Sequence, residues 1–433
     1  MSNFQISKKQ TGRLFGEITI PPDKSISHRS LIFGAQTGGR IKISNFSFGA
    51  DCRATLEIIK QLGCSADFIN ERTLILTAPK KLQTPASVLD CGNSGTSMRL
   101  LSGLLASLDF KSILIGDKSL SGRPMKRVIE PLSLMGAKIK SNDFKAPLEI
   151  EGRELTPIQY KSPIASAQVK SCILLAGVNT QGVTTVREDT LSRDHSERMF
   201  EYLGAKISTG RDEKGFFTSV EKSQLVPKDI EIAGDISSAA FFMVMAAIVR
   251  DSEITIKNVG LNPTRTGILD VFDKMGVNYE ILNKQAVSNE PVGDIKVYYS
   301  PDLKACEISG DIIPRLIDEL PIIAVLAARA GGETIVKDAS DLRNKESDRI
   351  SALASGLKKI GIEIEEKPDG FVISGTNKDF QGGTEVETHL DHRLAMSFFT
   401  AGLVSKNPVK INDFIWVNTS FPEFLPLFEK ISG

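Results

Sequence analysis

Apolar positions along the chain follow two rhythms. Stretches with apolar residues three and four apart predict amphipathic helices, and stretches alternating every second residue predict half-buried strands. Five helical stretches end alike, in a bulky residue, a glycine and a small or β-branched residue, and pass directly into a strand-like alternation. They are LEIIKQLGCSADF, IEPLSLMGAKIKS, MFEYLGAKIST, LDVFDKMGVNYEI and SGLKKIGIEIEE. Their glycines, Gly63, Gly136, Gly204, Gly276 and Gly361, suit left-handed helix C-caps, where a residue without Cβ lets the chain reverse in few residues. They recur at intervals of about 70 to 85 residues, and FPEFLPLFEKISG supplies a closing sixth helix.

Each interval also contains strand-like runs such as LILTA, SILIGD, GVTTVRED, SEITIKNV and ETIVKDA. A unit of about 70 residues is too long for a solenoid repeat and too short for a typical domain. Six mixed βα units therefore predict an α/β (α+β) protein of two similar domains, three units each, with helices covering sheets on one face. The chain is expected to cross between domains near Pro21-Pro22-Asp23 and again near Gly234-Asp235, after the polar stretch Glu221–Lys228. This assigns residues 24–234 to one domain and residues 1–23 with 235–433 to the other.

At 433 residues the chain is long enough for two sizeable cores. Its 53 basic and 53 acidic residues cancel, which argues against general attraction to nucleic acid or membrane and confines any anion site to a local cluster. Met1–Gln5 is polar, and no long apolar run occurs, so neither a signal peptide nor a membrane span is expected. The five cysteines are scattered without zinc-ligand spacing, as in a cytoplasmic protein with reduced thiols.

Candidate chemistry sits where helices begin. In Pro21-Pro22-Asp23-Lys24-Ser25-Ile26-Ser27-His28-Arg29 two prolines end a strand, and Asp23 or Ser25 can cap a helix carrying Lys24 and Arg29 in its first turns. Cations there oppose the helix dipole, so either they reach water or they await an anion. Asp90-Cys91-Gly92-Asn93-Ser94-Gly95-Thr96-Ser97 reads as a glycine-rich approach to a ligand or as a tight strand-to-helix turn. Ser119–Arg127 sets three cations near a helix start; Pro124 suits the first turn, and Arg123 before it is held out of the helix. Ile164–Lys170 and Leu191–Arg198 place polar residues at further helix starts.

In the C-terminal half, Asp341–Ile350 mixes acids and cations, with Lys345 and Arg349 four apart on one expected helical face and Glu346 beside them. It reads as a salt-bridged solvent face or as a site. Leu390–Met396 puts Arg393 at an apolar helix start, and Leu316–Pro321 sets Asp318 and Glu319 between apolar flanks, as candidates for proton transfer. If the two domains face each other, Lys24, Arg29, Arg123, Lys345, Arg349 and Arg393 converge on a cleft suited to a substrate with several negative charges. Their mutual repulsion would hold the empty cleft open, and bound anions would close it.

The segments PPDKSISHR, GNSGTSMRL, SGRPMKR, ASAQVKS, RDHSERM, LIDELP, RNKESDRI and LDHRLAMS, in this order, resemble the EPSP synthase family of enolpyruvyl transferases. ASAQVKS and SLSGRP resemble its divergent bacterial class. The resemblance implies two domains of three βαβαββ units joined by two hinge crossings, with the active site in the interdomain cleft. It implies transfer of the enolpyruvyl group of phosphoenolpyruvate to the 5-hydroxyl of shikimate 3-phosphate, with release of phosphate, on the pathway to chorismate and aromatic amino acids. Lys24, Ser25, Arg29, Ser166, Ala167, Gln168, Arg193, Asp318 and Lys345 would contact shikimate 3-phosphate. Lys24, Gly95, Arg123, Gln168, Arg349 and Arg393 would surround phosphoenolpyruvate. Asp318 would accept the hydroxyl proton, Glu346 would handle the proton at the methylene carbon, and Lys24 would assist both substrates.

No metal or organic cofactor is implied, and a monomer is expected. Two positions depart from the better-known class: Ala167 replaces a second serine, and Thr419 replaces a lysine near phosphoenolpyruvate. Gly95 stands where a bulkier residue accompanies glyphosate tolerance in some members, so glyphosate is expected to inhibit. The alternative is the sister enzyme that uses UDP-N-acetylglucosamine, but the loop Lys118–Gly122 lacks the cysteine usual there.

Overall fold

Among the described residues, six small sheets account for the alternating segments. In the computed structural model, which describes residues 3–433, the chain forms two compact units. The first comprises Pro22–Ala233 with Ala286–Glu290. The second comprises the described residues up to Pro21, Gly234–Gln285 and Pro291–Gly433. Met1 and Ser2, the start of the polar N-terminus, lie outside the described residues.

The sheets of the first unit share one pairing plan. Val183–Glu188, for example, pairs parallel with Gln159–Lys161 and antiparallel with Gly215–Glu221, which pairs antiparallel with Ile207–Asp212. Arg40–Ser44 and Lys111–Ile115 occupy the same central place in their own four-stranded sheets. In the second unit, Glu253–Gly260 and Gly332–Val336 play this part, and a three-stranded sheet of Phe4–Ser7, Val409–Asn412 and Thr384–Val386 completes the set. The segments predicted as strands fall in these sheets.

Alternation decides which face is buried. In Arg40–Ser44, Ile41 and Ile43 are buried opposite Leu76 and Leu74, while Arg40 and Lys42 face outward. Helices fill the interior. Leu320–Ala328 is buried along its whole length and Ile236–Ile248 almost so, because neither has a polar face to turn outward. In the first unit, the helices Gly95–Ala106 and Ala167–Gly177 cross so closely that a Cβ on Gly103 would lie 1.9 Å from the Cys172 carbonyl oxygen. A close approach of backbones, not a turn, requires that glycine.

The five repeating glycines all take positive φ, from 77° at Gly276 to 97° at Gly63. Each ends a helix and turns the chain into the next strand. Among the described residues no helix is long and apolar enough to cross a membrane, and all five thiols are free.

Candidate functional site

In the first unit, Asp23 caps the helix Lys24–Gly34, its side chain accepting the Ile26 N–H at 2.8 Å. That settles the choice between Asp23 and Ser25. The helix then buries Ser27, His28, Arg29 and Ser30 together, an unusual polar run for an interior face. His28 is pushed down to about 3 by burial, so it is neutral, and its Nδ1 lies 2.8 Å from Thr55 Oγ1. Arg29 is 2% exposed. It donates to Ser196 Oγ (2.8 Å), Ser171 Oγ (2.9 Å) and the Ser25 carbonyl (3.0 Å), all neutral oxygens. Burial pulls its guanidinium down to about 10 against the attraction of Glu197 and Asp23, and nearby Arg193 pushes the same way as burial. A buried guanidinium whose hydrogen-bond partners are neutral, with a second arginine close enough to repel it, is chemically suited to an anion. Lys24, by contrast, is paired with Asp51.

The start of the helix Ala167–Gly177 joins this cluster to a second. Ser166 caps it, and the Ala167 carbonyl accepts from Ser171 Oγ at 2.5 Å. Gln168 donates to Thr96 Oγ1 at 2.9 Å and accepts from Arg99 Nη1 at 2.6 Å. Ser94 caps the helix that begins at Gly95. A Cβ on Gly95 would come within 2.9 Å of Arg99 Nη1 and 3.5 Å of Arg123 Nη1. Arg123 is tied to Asn93 Oδ1 at 2.8 Å. Gly95, Arg123 and Gln168 thus lie around Arg99 and Asn93. Arg99 joins them without having been singled out; its signal is its place one helical turn after Gly95.

In the second unit, Asp391 is the hub. It is 0% exposed and caps the helix His392–Gly402, accepting the Arg393 N–H at 2.9 Å. Its other oxygen accepts from Arg349 Nε at 2.7 Å. Arg349 also reaches Glu346 at 2.6 Å and Asp318 at 3.4 Å. Lys345 lies 3.2 Å from Asp341 and 3.8 Å from Asp318, and Arg393 Nη1 donates to the Asp318 carbonyl at 3.2 Å. Burial would raise the Glu346 carboxyl, but Arg349, His392 and Lys345 prevail and hold it well below the usual range. Arg349 is raised despite burial, by Asp391, Glu346 and Asp318. The five predicted residues Asp318, Lys345, Glu346, Arg349 and Arg393 form one cluster. Asp391 was quoted in a motif without a role.

Three expectations need correction. Lys345 and Arg349 do not share a helical face: Asp348 caps the helix by accepting the Ser351 N–H, the helix begins at Arg349, and Lys345 is extended after a 3-10 turn at Ser340–Asn344. Pro124 is not in a helical first turn. Arg123 is extended, as a residue before proline should be, but the next helix starts at Lys126. Nor do the second unit's Lys345 and Arg349 stand as uncompensated like charges, since carboxylates sit against each. At Thr419, the side chain donates to the Trp416 carbonyl at 2.7 Å, so its hydroxyl is engaged with its own turn.

The family model for EPSP synthase (3-phosphoshikimate 1-carboxyvinyltransferase) matches residues 8–428. The chain belongs to the EPSP synthase family. It is 48% identical over 437 residues to the 3-phosphoshikimate 1-carboxyvinyltransferase of Citrifermentans bemidjiense, covering 100% of this chain and 99% of that one. It is 47% identical over 433 residues to that of Petrotoga mobilis, covering 99% of each. The EPSP synthase structure from Acinetobacter baumannii superposes with a TM-score of 0.89 at 41% identity, covering 99% of this chain and 98% of that one. The enolpyruvyl transferase NikO from Streptomyces tendae, at 16% identity and TM-score 0.80, shares the fold. Membership of the EPSP synthase family makes the chain a transferase of aromatic amino-acid biosynthesis.

Proposed function

We propose that the chain transfers the enolpyruvyl group of phosphoenolpyruvate to the 5-hydroxyl of shikimate 3-phosphate, releasing phosphate through a tetrahedral intermediate, on the route to chorismate. The observation that carries the residue roles is the gathering of Asp318 and Glu346 against Lys345, Arg349 and Arg393. The reaction needs a base at the hydroxyl, a proton carrier at the methylene carbon and cations for phosphate and carboxylate, and these five side chains are of those types.

In this reading Lys24, Ser25, Arg29, Ser166, Ala167, Gln168, Arg193, Asp318 and Lys345 receive shikimate 3-phosphate. Lys24, Gly95, Arg123, Gln168, Arg349 and Arg393 receive phosphoenolpyruvate. Asp318 takes the hydroxyl proton as oxygen adds to C2. Glu346 serves C3, which gains a proton in addition and loses one as phosphate leaves. Glu346 paired with Arg349 is a carboxylate, suited to taking the second proton. To give the first it must be released from Arg349, and an anionic substrate offers Arg349 another partner. The scheme calls for neither a reactive thiol nor an organic cofactor.

The protein is expected to act as a cytoplasmic monomer. The test is phosphate release with phosphoenolpyruvate and either acceptor. Release with shikimate 3-phosphate and none with UDP-N-acetylglucosamine is the expected result. Glyphosate in the same assay should suppress release at low phosphoenolpyruvate and lose its effect as phosphoenolpyruvate is raised. Unchanged rates at saturating glyphosate would remove the inhibitor from this reading.

A further inference from the structure

We propose that Glu188 is a positioning residue that fixes the shikimate 3-phosphate-binding segments around Ser166 and Arg193 relative to each other, with Lys170 as its buried counter-ion. The inference rests on the assignment of those segments to shikimate 3-phosphate. Glu188 ends the strand Val183–Glu188 and is 2% exposed. Both its oxygens are used. Oε1 accepts the Ser166 N–H at 3.2 Å, just before the helix that Ser166 caps. Oε2 accepts the Ser192 N–H at 3.3 Å and its Oγ–H at 2.9 Å, one residue before Arg193.

Lys170, on the second turn of the 167–177 helix, is 1% exposed. Its Nζ lies 2.9 Å from Glu188, 2.7 Å from Glu197 and 3.3 Å from the Ser192 carbonyl. The triad therefore ties a strand end, a helix start and a loop into one buried knot. Three buried charges are a poor way to obtain stability alone, because desolvation offsets much of their attraction. What they supply, and apolar side chains could not, is direction: each oxygen of Glu188 points at one of two separate segments. Glu197 sits beside Ser196, the serine that receives Arg29 Nε, so the same knot borders the buried guanidinium.

The test compares Glu188→Gln, Glu188→Asp, Arg193→Ala and the unaltered chain by steady-state kinetics, with thermal unfolding of each. Gln keeps the length but loses the charge that faces Lys170, and its amide NH2 must meet a donor at one of the two segments. Asp keeps the charge for Lys170 but is one methylene too short to serve both segments. Both are expected to raise KM for shikimate 3-phosphate by about ten- to a hundredfold, the scale of lost hydrogen bonds to a charged group, while KM for phosphoenolpyruvate and kcat move far less. Folded variants with unchanged KM for shikimate 3-phosphate, or with both KM values raised equally, would overturn the inference. So would failure of both to fold, which would make the knot purely structural. If Arg193→Ala also leaves that KM unchanged, the assignment of the segments fails instead.

Discussion

Replacing Asp318 by Ala is expected to lower kcat by about 10²- to 10⁴-fold, the usual contribution of a positioned general base. Shikimate 3-phosphate should still bind, as titration calorimetry would show. The surroundings make the variant informative. Arg349 keeps Asp391 at 2.7 Å and Glu346 at 2.6 Å when Asp318 is cut back, so its helix start retains its ties. The anchor for Arg393 is the Asp318 carbonyl, which the substitution leaves in place. A loss of turnover with the fold intact therefore reports on the carboxylate itself. Near-normal turnover would remove Asp318 from the chemistry and leave Glu346 as the sole acid–base group of the scheme.

The largest stability effect is expected from Asp391→Ala, which should cost about 3–5 kcal/mol by leaving a buried guanidinium short of its fully buried carboxylate partner. Loss of the cap on the helix His392–Gly402 adds roughly 1 kcal/mol. Denaturant unfolding of the two proteins side by side measures the difference. Its pH dependence has a definite sign. Burial raises the Asp391 carboxyl, but Arg349 and His392 outweigh it and hold the group below its ordinary value. A depressed carboxylate stabilises fully above its unfolded value, about 3.9, and loses that contribution as pH falls through the folded value. The gap between the two proteins should thus be constant near neutrality and narrow in acid. A gap that widened below about pH 4 would contradict the assigned pairing.

Much of the fold could be read from pattern because its signals are local. A glycine at a left-handed cap and a two-residue alternation each need only a few neighbours to be recognised, and Gly63, Gly136, Gly204, Gly276 and Gly361 all stand where the pattern put them. The helix starts were less legible. Ser340–Asn344 and the helix from Arg349 look continuous in sequence, and only the Asp348 cap decides that Lys345 lies outside.

The site divided in the same way. Even inside recognisable motifs, Asp391 and Arg99 received no role, because their importance comes from long-range partners. Asp391 meets Arg349 across 42 positions, and Gln168 meets Arg99 across 69. Glu188 ends an ordinary strand, and nothing in its neighbours announces that it serves two separate segments.

The crowd of acids around Arg349 has a further consequence. If Arg349 receives an anion as proposed, that anion competes with side chains that already occupy its counter-charge, and each displaced acid returns toward its ordinary proton affinity. On the proposed roles, ligand capture at Arg349 is thereby linked to proton uptake only as pH falls toward the ordinary carboxylate range, and the protein's own carboxylates hold the substrate's place until then.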